Sequence, residues 1–138
     1  MKLKIPLYIA GVINLLIAVF HLLFWHLFNW NAELTRLSAI NQTIVQLLDL
    51  AVAYTAALFG YISLRHATDL LHTKLGHTML FLMGLFYLLR AVEGVIIDGL
   101  HNVPDIIIFL IGLGVAVLYW IPVWFSSKIE ASVSTRPV

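Results

Sequence analysis

The chain has no cysteine among its 138 residues. That excludes disulfides, thiolate nucleophiles, iron–sulfur ligation and thiolate zinc sites together. Charge is nearly as scarce: Asp, Glu, Lys and Arg make up 11% of the residues, against roughly 25% in an ordinary soluble domain. The formal net charge is +1, and the basic residues are scattered rather than clustered, so electrostatic capture of nucleic acid is not expected. Lysines stand only near the ends of apolar stretches, which disfavours a buried Schiff-base cofactor such as retinal. No serine lies in a nucleophile-elbow context. Internal repeats, low-complexity tracts and linkers are missing too, so one compact unit over residues 1–138 is expected, with no room for a separate soluble domain.

What remains is apolar: 62% of the chain is hydrophobic, the composition of an integral membrane protein. Four apolar stretches, about 5–28, 43–63, 75–97 and 104–125, each approach the roughly 20 residues that a bilayer core requires. The pattern predicts an all-α transmembrane four-helix bundle of up-down-up-down topology. The first stretch exceeds a signal-peptide core, carries Asn14, His21 and His26 and lacks a small-residue cleavage site, so it reads as a mature helix. Gly60 and Gly99 fall near helix ends, and Pro104 with Asp105 suits a first helical turn, where proline sacrifices no hydrogen bond. "WNAELTRLSAINQ" (30–42) has room for a short interfacial helical turn.

Lysine and arginine set the expected orientation. With the N-terminus inside, Lys2, Lys4, Arg65, Lys74, Lys128 and Arg136 are cytoplasmic, whereas the outer loops hold only Arg36. Both termini are then cytoplasmic, in a bacterial inner membrane. Trp30 at one end, with Tyr61, Trp120 and Trp124 at the other, falls where aromatic anchors belong.

Against this background "FYLLRAVEGVIIDG" (86–99) is unusual, because Arg90 and Glu93 interrupt a spanning stretch. With segment midpoints at the bilayer centre, Arg90 and Glu93 lie roughly 4 to 9 Å toward the outer side, Asp49 and Gln46 at similar depth, and His21 roughly 6 to 7 Å outward. At 100° per residue, Asn14, Ala18, His21 and Trp25 share one face, as do Gln42, Gln46, Asp49, Ala53 and Ala56. Arg90, Glu93 and Gly94 share another, with Tyr87 at its edge. The expectation is a polar cluster in the outer half, formed by His21, Gln46, Asp49, Arg90 and Glu93 with Asn14 and Tyr87. An unpaired charge at that depth costs at least about 2.5 to 3.5 kcal/mol, so the charges should find partners. Arg90 is the expected hub, its planar fork matching Asp49 or Glu93. Gly112 and Ala116 suit close approach on the fourth helix, which is expected to be wall rather than site.

Several chemistries fit such a cluster. A small ligand or lipid headgroup would pair an anionic group with Arg90 while the other polar side chains orient the rest. A metal ion would take His21, Asp49 and Glu93, with Arg90 and Gln46 behind them. His26 lies about 140° around the axis from His21, and the Glu-x-x-His spacing of di-iron bundles is absent. A bis-histidine haem would need histidines at matching depth on two helices. A proton relay through Asp49, Glu93 and His21 lacks a polar continuation inward, so a channel would need a homo-oligomer. A last alternative is an accessory subunit of a larger membrane complex, in which the Arg90 network only fixes helix register. In "RHATDLLHTKLGH" (65–77), His66, His72 and His77 around Asp69 read as a solvated loop. "DGLHNVPD" (98–105), with Asp98, His101 and Asp105, reads as a tight turn with capping residues.

The stretches "GVINLLIAVFHLLFWHLFNW" (11–30) and "LLRAVEG" (88–94) resemble those of small bacterial inner-membrane proteins of four helices. In size and topology the chain is similar to the DoxX-like group. The resemblance implies architecture and transfers no catalytic role.

Overall fold

A computed structural model describes residues 3–97 and 99–134. Asp98 lies outside them, as do Lys2 and Arg136. The elements in chain order are α1 (Lys4–Leu22), α2 (Phe24–Leu27), α3 (Trp30–Glu33), a 3-10 turn (Leu34–Arg36), α4 (Ala39–Arg65), α5 (Ala67–His72), α6 (Lys74–Ile97) and α7 (Val103–Ser134). Four of these, α1, α4, α6 and the Val103–Phe125 portion of α7, are long and apolar enough to cross a membrane. The chain is a multi-pass membrane protein built as an all-helical bundle.

Local chemistry explains where the helices start and stop. Ser38 is extended, and its hydroxyl accepts from Asn41 N–H at 3.4 Å, an N-cap that satisfies one of the free amides of α4. Gly99 has φ +72 and donates its N–H to Val95 O at 3.2 Å. That left-handed residue closes α6 at little cost because glycine has no Cβ. Across the turn, Asp105 accepts from Asn102 N–H at 3.0 Å, with Pro104 in the first turn of α7 as expected.

Small residues set the packing. α1 buries Leu7, Ala10, Gly11, Asn14 and Ala18, and α4 buries Ala53, Ala56, Gly60 and Ser63, both at helical spacing. A Cβ on Gly60 would lie 2.8 Å from a Leu15 methyl and 3.0 Å from Gly11 O, so the two backbones are close enough that only glycine fits. Gly11 faces Leu64 while Gly60 faces Leu15; α1 and α4 are therefore antiparallel. α6 and α7 pair likewise, with the Trp120 ring occupying the place of a Gly84 side chain and Ala91 against Gly112. The two pairs join where α1 meets α7, and Phe59 of α4 reaches Phe86 and Tyr87 of α6. Only 22–28% of each spanning window is buried, so most apolar side chains are left for lipid.

Some boundaries differ from the sequence pattern. The stretch 5–28 is broken at Leu23, where the backbone leaves α1 and restarts as α2. The 43–63 stretch extends to Ala39–Arg65 because Ser38 caps it a turn earlier, and α7 continues through Ser134 with Pro122 inside. The 30–42 connection holds α3 and the 3-10 turn, as anticipated. The 65–77 segment is not a solvated loop: α5 buries Ala67, Leu70 and Leu71 against the core, their i, i+3, i+4 spacing forming one apolar stripe.

Candidate functional site

At the heart of the bundle four polar side chains from four helices meet. The Tyr87 hydroxyl donates to Asn14 Oδ1 at 2.5 Å. Asn14 Nδ2 donates to Ala10 O at 2.8 Å and to the Tyr119 hydroxyl at 3.0 Å. Tyr119, accepting from Asn14, has its own proton free for Ser63 Oγ, 2.9 Å away. Asn14, Ser63 and Tyr119 are fully buried and Tyr87 nearly so, which is tolerable in this setting because each finds a partner. Asn14 and Tyr87, expected to face a ligand, are bonded to each other instead. α7, expected to be wall rather than site, contributes Tyr119 as the second hub of this network. Ser63 and Tyr119 escaped notice because neither is charged. The signal was present in their register with Gly60, Gly112 and Ala116 on the small-residue faces.

The loop end of the bundle, where the α1–α4 connection and the α6–α7 turn lie, holds the remaining candidates in two places. On the α1–α4 side, His21 donates Nδ1–H to Ile17 O at 2.9 Å, since a carbonyl oxygen can only accept. The imidazole stacks on Phe24 with centroids 4.6 Å apart. On α4, Asp49 Oδ1 is buried without a hydrogen-bond partner among the described residues. Gln46 is half-buried one turn toward the start of α4.

On the other side, Arg90 donates to Glu93 Oε2 at 2.8 Å, within α6 itself. Both side chains are about half exposed, at 53% and 54%. The pairing of Arg90 with Glu93 is as expected, whereas its role as hub to Asp49 is not realised. The physical reason is register. The Gly11–Leu64 and Gly60–Leu15 contacts put His21 level with Tyr54, and Asp49 about five residues, or roughly 7.5 Å, further toward the loop end. Arg90, placed by the Tyr87–Asn14 bond, falls on the order of 10 Å short of Asp49 along the axis. Aligning segment midpoints misses this offset because contact between small residues, not equal length, positions the helices.

The single cluster therefore divides. Glu93 is held by Arg90 on α6, away from His21 and Asp49, and no group of three His, Asp or Glu side chains among the described residues could hold a metal ion. The three-ligand set His21, Asp49 and Glu93 is not assembled.

Arg90 lines a small cavity between α6 and α7, about 50 Å3 in volume, with Gly94, Gly99, Asp105, Ile108 and Phe109 among its walls. A larger groove of about 920 Å3 opens between α1 and α7, walled by Ile13, Ile17, Phe20, Ile107, Ile111 and Gly114 among others. The fold and these features define a class: a small multi-pass four-helix membrane protein with a sealed polar core and two cavities toward its loop end. No family model matches the chain, and neither curated proteins nor solved structures give a match.

Proposed function

We propose that the protein binds a small ligand or lipid headgroup in the outer half of a bacterial inner membrane, both termini being cytoplasmic, with Arg90 taking the anionic group. The carrying observation is the position of Arg90: a permanently charged side chain on a spanning helix, half exposed, lining a cavity rather than spent in the core. A guanidinium has five N–H donors. Its ion pair with Glu93 is through Nη1, leaving donors for a phosphate or carboxylate. The lysine and arginine distribution supports the orientation, and the likeness in size and topology to DoxX-like proteins belongs to the same proposal.

Extraction in mild detergent followed by native mass spectrometry tests it. A bound lipid or small-molecule mass that disappears in Arg90→Gln is expected. Stoichiometric metal, a Soret band, or an unliganded chain carried only by larger partners would contradict it. A second site is favoured by one observation, the buried, unpartnered Oδ1 of Asp49 on α4. There a ligand bearing an N–H or O–H donor would be held between α1 and α4.

A further inference from the structure

We infer that the two cavities form one phospholipid site: an acyl chain in the α1–α7 groove and an amine-bearing, zwitterionic headgroup around the first turns of α7 at Arg90 and Asp105. The inference rests on the binding role of Arg90 above and adds the class of ligand. Ile108 lines both cavities, so a molecule could pass over α7 from one to the other. On the α7 side the groove runs from Pro104 to Leu118, about 21 Å of helix axis. That is ample for a chain entering a leaflet whose hydrocarbon is ~15 Å deep.

Glycine supplies the independent observation. Gly11, Gly60, Gly76 and Gly84 each have chain atoms where a Cβ would go, so packing explains them. Gly94 and Gly114 have nothing within 4 Å of that position. Each lines one of the two cavities, Gly94 beside Arg90 and Gly114 in the groove. A glycine inside a helix costs about 0.5–1 kcal/mol relative to alanine, and no neighbour among the described residues accounts for it at either position. A ligand lying close against both backbones does.

Charge selects the headgroup. Arg90 and Glu93 neutralise each other, while Asp105 shares the cavity wall and uses Oδ2 for Asn102 N–H. Among the described residues here, one guanidinium and two carboxylates leave a surplus negative charge. A ligand carrying both a phosphate, for Arg90, and a primary ammonium, for Asp105, pairs each of these groups with an opposite charge and leaves the sum unchanged. A phosphate alone adds to the surplus. A quaternary ammonium cannot donate a hydrogen bond to the carboxylate.

The test is native mass spectrometry of the full chain, delipidated and then titrated separately with dioleoyl phosphatidylethanolamine, phosphatidylcholine and phosphatidylglycerol. Phosphatidylethanolamine is expected to bind at least tenfold tighter than the others. Asp105→Asn should erase that preference, and Gly114→Leu, which has open space to fill, should remove all three adducts. Unfolding temperature, measured alongside, checks that both variants fold. Equal retention of the three lipids by the wild type, with Arg90→Gln still weakening all of them, overturns this inference and leaves the broader binding role standing. Adducts unaffected by Gly114→Leu also overturn it. If no lipid adduct depends on Arg90, both fall.

Discussion

Asn14 is the residue on which the bundle's polar core turns, because it donates to Tyr119 and accepts from Tyr87 while reaching back to Ala10 O. Interhelical hydrogen bonds in membranes average about 0.6 kcal/mol and reach about 1.7, so the bonds made are modest stabilisers. Removing the hub matters more, since it orphans the Tyr87 hydroxyl at about 1–3 kcal/mol and takes from Tyr119 one of its two partners, leaving Ser63. Asn14→Leu should therefore destabilise by about 2–4 kcal/mol, and Tyr119→Phe by about half as much, read as unfolding free energy in detergent. Equal stability of Asn14→Leu and wild type would mean that the network does not bind the helices together. Asp49 is the opposite case. Its buried, unpartnered oxygen costs stability, so Asp49→Leu should raise the unfolding temperature. A fall would mean that Asp49 has a partner essential to the fold.

Among the elements, α1 and α4 depend on glycine contact. Gly60→Leu would force a side chain into Leu15 and Gly11 O, and overpacking of this kind costs about 1–3 kcal/mol or more. Loss of the α1–α4 pairing, followed by cysteine cross-linking between engineered pairs on the two helices, is the expected result, while Gly114→Leu should leave it intact. α5 shows what an apolar stripe can do in a connection that looks polar. Its histidines and Asp69 suggest a solvated loop, yet Ala67, Leu70 and Leu71 seat it against the core. Leu70→Asp should therefore destabilise the bundle although it lies outside the four spanning helices. The four long elements were legible in the sequence because lipid demands long apolar runs and little else. Their axial register was not, because it depends on which small residues touch. Hence His21, Asp49 and Arg90 look level in the sequence and are offset in the bundle.

For the molecule as a whole, polarity is distributed with a clear division. The uncharged groups Asn14, Ser63, Tyr87 and Tyr119 are buried and bonded to one another, whereas Arg90 and Glu93 remain half exposed, with Arg90 on the wall of a cavity. A charge used to hold helices together would sit where the four neutral groups do. Arg90 and Glu93 were legible as an intramembrane pair. The partition into a structural centre and peripheral cavities emerges only from the packing.

The decisive measurement compares Arg90→Gln with wild type in the same detergent for two quantities, unfolding temperature and retained ligand mass. A protein whose arginine serves a ligand keeps its unfolding temperature and loses the adduct. A temperature drop of many degrees with the adduct still present would assign Arg90 to the scaffold.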